Sequence, residues 1–206
     1  MKKYTESQWL AWIDRLAIDD YVVIDNFFPK EDYNKIKLYF NLKESDFEKA
    51  GIGAINNVVA SEIRSDFTYW IDRKKDPAMA SWFEYIEEIK AKLNRYCYLS
   101  LSGDEFHFAH YPKGSFYKKH LDQFKKRNNR LITVLLYLND HWEPQDEGQL
   151  VVYKDEDQLK INPLGNRLVL FKSDTLYHEV LPTKNGRKSL TGWLLYEPKG
   201  LSFLGT

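Results

Sequence analysis

Apolar residues recur at helical spacing in the first half of the chain and at alternate positions from Glu105 onward. Thr5-x-x-Gln8 has the form of a capping box, and Trp9, Leu10, Ile13, Leu16 and Ala17 follow on one helical stripe. Residues 21–28, YVVIDNFF, predict a strand. Pro29 fits the first position of a second helix reaching about Phe40. Residues 41–61 have no clear period and carry Gly51 and Gly53, which predicts a long connection able to act as a mobile finger. Asp76-Pro77 opens a third helix with Trp82, Tyr85, Ile86, Ile89 and Leu93 on its apolar face.

The period then falls to two. Strands are predicted at 105–111, 115–122, 131–138, 149–154, 167–171, 176–181 and 188–197. Between them stand turn signals such as Pro112-Lys113-Gly114, Asn139-Asp140, Glu147-Gly148 and Asn185-Gly186. The expected architecture is mostly β with N-terminal helices (α+β), an antiparallel sandwich or barrel with the helices on one sheet face. One domain over 1–206 is expected, with helical support and the finger loop in 1–103 and the β core in 104–198.

Composition narrows the function classes. Lys plus Arg and Asp plus Glu are 30 each, so the basic excess of a general nucleic-acid binder is missing. Cys97 is the sole cysteine, which excludes an intrachain disulfide and a cysteine-based zinc site. No run is apolar enough to span a bilayer and no apolar segment follows the charged start, so a soluble cytoplasmic protein without membrane partners is expected. Aromatics reach 16%, many with polar tips suited to lining a pocket.

Alternation sends His120 and Asp122 to one face of their predicted strand and Leu121 to the other. His178, on a later strand, can close the set. Two histidines and one carboxylate leave coordination positions open, as oxygen-activating Fe(II) sites require, although H-x-D with a distant His also arises by chance. Arg187, on a strand expected to adjoin that of His178, shares its parity with Ser189, Thr191 and Trp193. An inward guanidinium is costly unless it meets an anion, and its planar fork matches a carboxylate. The bland reading is a surface arginine at a hairpin end. His107 alternates with Ala109 and Tyr111 and so faces the interior beside the metal set, while Lys125-Lys126-Arg127 reads as a solvated turn.

The order of motifs is similar to the 2-oxoglutarate/Fe(II) dioxygenases, in their prolyl 4-hydroxylase branch of hypoxia-inducible-factor type and bacterial relatives. The matching stretches are His110-Tyr111-Pro112, Tyr117-x-x-His120-x-Asp122, Leu136-Tyr137-Leu138-Asn139, Gly148-x-Leu150, His178-Glu179-Val180-x-Pro182 and Arg187 through Trp193. Upstream, Ile63-Arg64-Ser65-Asp66 and Trp70-Ile71 also match.

The resemblance implies a double-stranded β-helix (jelly-roll) core, with iron on His120, Asp122 and His178. It implies that Arg187 and Tyr137 take the distal carboxylate of 2-oxoglutarate, with Tyr111, Thr191 and Trp193 lining that pocket. O2 is the second cosubstrate, and ascorbate is a candidate accessory reductant. The expected reaction hydroxylates a prolyl residue of a protein to 4-hydroxyproline, releasing succinate and CO2. The candidate partners are proline-containing proteins, a translation factor such as elongation factor Tu among them. Arg64, Asp66, Trp70 and Arg130 are candidate substrate contacts, with Asp66 and Arg130 expected to pair. Asp122 is intact, unlike the halogenase variant of the site, and Arg187 stands where procollagen-type relatives carry lysine. Hydroxylation of a free amino acid or small metabolite is the alternative within this chemistry. A zinc hydrolase would leave Arg187 without a task, and a non-catalytic binding barrel would have no need of the intact set.

Overall fold

The computed structural model describes residues 4–51, 62–123 and 128–197. Helix α1 (Glu6–Asp19) begins at the reciprocal Thr5/Gln8 capping box, and its buried stripe is Trp9, Ile13 and Leu16. Leu10 and Ala17, expected on that stripe, are exposed, because the sheet and the third helix touch only a narrow face. Strand β1 (Tyr21–Ile24) is shorter than predicted, since Asn26 at φ 53° turns the chain. Phe27 and Phe28 are nonetheless buried under the helices. Pro29 is the N-cap of α2 (Lys30–Leu42), not its first residue. A single 3-10 turn at Pro77–Met79 leads into α3 (Ala80–Cys97), whose buried face contains all five predicted residues.

Of the connection expected over 41–61, residues 44–46 form a 3-10 turn and β2 is Glu48–Lys49. The remainder of the finger from 52 to 61 lies outside the described residues, as does the basic run 125–127. Strand β3 (Phe67–Ile71) was not predicted, because FTYWI shows no clean alternation.

The later strands are β4 (Gly103–Tyr111), β5 (Tyr117–His120), β6 (Arg130–Tyr137), β7 (Leu150–Lys154), β8 (Asp157–Ile161), β9 (Leu168–Lys172), β10 (Tyr177–Val180) and β11 (Arg187–Leu195). Strand β8 was missed because only Ile161 of DQLKI is buried; it pairs with β7 at a sheet edge. All pairings are antiparallel. A seven-stranded sheet runs β1-β9-β6-β11-β4-β3-β2 and a four-stranded sheet runs β5-β10-β7-β8, the jelly-roll arrangement.

The large sheet is apolar on both faces. Phe106, Phe108, Val134, Leu136, Leu190 and Leu194 pack with the helices, while Ala109, Tyr111, Leu135, Tyr137, Val169 and Phe171 form the second core, between the sheets. Alternation along each strand thus serves two cores at once. Gly192 belongs to this register: a Cβ there would lie 2.1 Å from the Glu105 carbonyl oxygen, so only glycine lets β4 and β11 lie this close.

Candidate metal and anion site

His120 ends β5, Asp122 stands in the bend just past it, and His178 lies on β10 directly opposite His120 in register. Asp122 was expected on the strand itself. Asp122 Oδ1 lies 3.4 Å from His120 Nε2, and Oδ2 lies 3.5 Å from His178 Nε2. One ligand atom from each residue fits within 4.8 Å of the others, close enough to share one ion.

Hydrogen bonds orient these groups. His120 Nδ1 donates to the Lys118 carbonyl at 2.7 Å and His178 Nδ1 to the Leu176 carbonyl at 3.1 Å. Since a carbonyl only accepts, both Nδ1 atoms carry the proton and both Nε2 lone pairs are left for a metal. Thr133 Oγ1 donates to Asp122 Oδ2 at 2.7 Å and is braced by Ser173 Oγ at 2.9 Å. Burial acts to raise the Asp122 carboxyl, but the charge of His178 and the nearness of both imidazoles hold it well below the usual carboxylate range. Burial likewise acts to lower His178, but Asp122 overcomes this and raises it, whereas for His120 burial prevails and the pKa falls.

Thr133→Val removes the hydroxyl and keeps the shape. Iron affinity is expected to fall by about 10–100-fold, the usual effect of losing an outer-shell partner. Anaerobic Fe(II) titration reads this directly, and unchanged affinity would deny Thr133 the role.

The cluster opens into a cavity of about 910 Å³. Arg187 lies at one end and is 1% exposed. It does not adjoin His178 as expected: β11 is central in the large sheet, β10 is in the small one, and the two residues face each other across the cavity. Arg187 Nη1 donates to Ser189 Oγ at 3.3 Å. Its Nε and Nη2, and the Tyr137 hydroxyl, make no well-formed hydrogen bond among the described residues, although Arg187 and that hydroxyl lie near enough to interact. The rings of Tyr111 and Tyr137 each lie 4.9 Å from its Cζ. Burial raises the pKa of both phenols, so Tyr137 stays protonated as a donor. Buried N–H and O–H groups left unpaired are costly, and a carboxylate would satisfy them together. The residues fit a dicarboxylate that reaches from this fork to the metal cluster. Thr191 and Trp193 line the same cavity, as their parity predicted.

The expected Asp66–Arg130 pair is not formed. Asp66 is buried and takes a two-point contact from Arg64, at 2.8 Å from Nε and 2.6 Å from Nη2. Arg130 stacks 3.5 Å above the Trp193 ring and pairs with Glu105 at 2.6 Å. Trp193 faces Glu105 across β11–β4, so stacking on it carries Arg130 to that carboxylate. Arg64, Trp70 and Arg130 do line the cavity. Thr133 and Glu105 were missed as site residues, though parity with Leu135 and His107 marks them. Tyr117 stacks on His120 with ring centroids 3.6 Å apart.

Residues 106–195 match the family model of the 2OG-Fe(II) oxygenase superfamily. The solved structure of a Pseudomonas putida prolyl-4-hydroxylase is 30% identical with a TM-score of 0.83, over 92% of this chain and 99% of that one. A Trichoplax adhaerens prolyl hydroxylase, solved with a hypoxia-inducible-factor oxygen degradation domain peptide, is 28% identical with a TM-score of 0.82, over 96% of this chain and 93% of that one. The chain belongs to the 2OG-Fe(II) oxygenase superfamily. Within it, the likeness is to the prolyl 4-hydroxylases. A Caenorhabditis elegans hypoxia-inducible factor prolyl hydroxylase is 29% identical over 200 residues, which cover 85% of this chain but only 26% of that much longer protein.

Proposed function

We propose that this protein hydroxylates a prolyl residue of a polypeptide to 4-hydroxyproline, consuming 2-oxoglutarate and O2 and releasing succinate and CO2. The observation that carries the oxygenase chemistry is one cavity holding both the His2Asp cluster and the buried, anion-seeking fork of Arg187. His120, Asp122 and His178 would hold Fe(II), which when bound supplies the oxidising chemistry for hydroxylation. Arg187 and Tyr137 bind and orient the distal carboxylate of 2-oxoglutarate. Tyr111 closes over the fork, and Thr191 and Trp193 shape the walls. Apolar Leu135, Leu150, Phe171 and Val180 keep water from the space between fork and metal.

The similarity to solved prolyl hydroxylases supports the prolyl substrate, and the lining of the cavity agrees with it. Half-exposed Trp70 lines it together with Arg64 and Arg130, whose charges are already met by Asp66 and Glu105. A neutral peptide chain suits such a lining, whereas a free amino acid would call for partners for its own charges. A zinc hydrolase would have no use for Arg187. The test supplies proline-containing peptides, a translation-factor digest included, with Fe(II), 2-oxoglutarate, O2 and ascorbate. Proline gaining one oxygen, with one succinate formed per hydroxylation, is the expected result. Oxygen transfer to free amino acids with none to peptides would overturn the substrate assignment.

A further inference from the structure

His107 is a buried polar group that neither iron nor 2-oxoglutarate binding employs. It lies on β4, in register with Trp70 of β3 on one side and Thr191 of β11 on the other. Its ring lies 4.8 Å from that of Trp70 and 5.5 Å from that of Trp193, and it lines the cavity at 3% exposure. It is not one of the clustered ligands. Its Nδ1 has no hydrogen-bond partner among the described residues, and neither does Trp193 Nε1 beside it. Two buried polar atoms without partners on neighbouring rings are costly, which marks a place where a ligand completes the structure.

The surrounding charges indicate what that ligand is. Burial, together with the positive charges of Arg64 and Arg130, pulls the imidazole down to about 3, outweighing Asp122. The ring is therefore neutral at physiological pH, with one nitrogen lone pair to offer. Indole Nε1 can only donate. In the tautomer with the proton on Nε2, the unpartnered Nδ1 accepts and the unpartnered indole Nε1 donates, so these two atoms offer one acceptor and one donor. The nearby charges are already matched, Arg64 by Asp66 and Arg130 by Glu105, so a charged ligand would gain little there. A peptide group is neutral and supplies one N–H and one carbonyl, the complement of this pair.

We propose that His107 is a specificity-determining residue of the polypeptide subsite, accepting a hydrogen bond from a substrate backbone N–H near the target proline while Trp193 Nε1 donates to a neighbouring carbonyl. The proposal rests on the prolyl-peptide reading above and adds to it how this chain recognises main chain as such. Packed against Trp70 and Trp193, whose rings also meet each other, the imidazole is fixed in orientation before substrate arrives, so little freedom is lost on binding.

The experiment is an ester scan. Peptides are made in which the N–H of each residue near the target proline, one at a time, is replaced by an ester oxygen, and each is assayed with wild type, His107→Phe and His107→Asn. Phenylalanine keeps the stacking and removes the lone pair, while asparagine restores an acceptor close to Nδ1. With wild type, one ester position should raise the peptide KM by about fivefold, as expected for one hydrogen bond. His107→Phe should raise the KM of the all-amide peptide by a similar factor and show no further penalty at that position. His107→Asn should recover part of both effects. The KM for 2-oxoglutarate should stay within about twofold, which a general loosening of the cavity would not allow. If His107→Phe does not fold, His107→Leu takes its place. An ester penalty equally large in wild type and the apolar variant overturns the proposal. So does a rise in the KM for 2-oxoglutarate alone, which would make the cosubstrate the partner of His107. Failure of wild type to hydroxylate any prolyl peptide would instead overturn the underlying reading, and is seen before any variant is assayed.

Discussion

Arg187→Met should lose 2-oxoglutarate and yet leave the ligand-free protein at least as stable as wild type. The two effects share one cause. In the ligand-free protein the guanidinium is fully buried with Nε and Nη2 unpaired, a state that costs about 1–3 kcal/mol or more for a charged group. The rings of Tyr111 and Tyr137 return part of that. Methionine fills similar space without an unmet donor, and exchanging buried charge for well-packed apolar volume is often neutral or stabilising. The melting temperature without ligands should therefore be unchanged or higher. The KM for 2-oxoglutarate, by contrast, should rise at least tenfold, since truncating one partner of a buried charged pair costs about 2–5 kcal/mol. Saturating 2-oxoglutarate with Fe(II), under anaerobic conditions, should raise the melting temperature of wild type and not of the variant. A variant that melts many degrees lower would mean that Arg187 is chiefly structural, and an unchanged KM would mean that the anion sits elsewhere.

Asp122→Ala should abolish turnover by removing the metal. Wild type is expected to bind one Fe(II) per chain. The variant offers only two neutral imidazoles, and its affinity should fall by well over the roughly 10–100-fold typical of losing an outer partner. Asp122→Asn keeps the volume and the Thr133 contact but not the charge, and should fail in the same direction. The same titration has a pH dependence of fixed sign. His178 has its pKa raised by Asp122, so in the metal-free site it keeps its proton to higher pH than an ordinary histidine. Iron must displace that proton, so apparent affinity should weaken as pH falls through this raised pKa and level off above it. Removing Asp122 should shift the onset to lower pH, because burial then acts on His178 with its counter-charge gone. Full turnover by Asp122→Ala would refute the triad.

Most of the site was legible in the chain because side-chain parity survives errors in strand ends. Arg187, Thr191 and Trp193 share a face whether β11 begins at 187 or 188. His120 and Asp122 converge although only His120 is on the strand, since the bend keeps the carboxylate on the same side. Parity says nothing about which strands are neighbours. That is why Arg187 was placed beside His178 when it lies across from it. Nor does it fix ion-pair partners: Asp66 found Arg64 two residues away, and Arg130 was drawn by Trp193 to Glu105. Strands β3 and β8 escaped notice because each buries a single residue, Thr68 and Ile161, too few to show a period. Polar β8 adds to an edge, and β3 mixes exposed Phe67 and Trp70 with buried Thr68. The helices were readable as helices, but only a narrower stripe of α1 is buried than its apolar pattern suggested.

The fork and the metal cluster belong to different leaves of the jelly roll. Arg187 and Tyr137 belong to the large sheet, His120 and His178 to the small one, and Asp122 is tied across by the Thr133 hydroxyl of β6. A dicarboxylate held at both ends would therefore act as a rivet through the sandwich. Helices α1–α3 pack against the large leaf, so the small leaf is held by the inter-sheet core, the Asp122 tie, the bonds of Ser115 and Phe116 to Ser65, the reach of Lys154 to Ile18 and whatever fills the cavity. Cosubstrate level would then govern how tightly the two leaves close, and with that how well the wall carrying His120 is held for the next substrate. Short of 2-oxoglutarate, the protein would then be not only idle but more loosely closed.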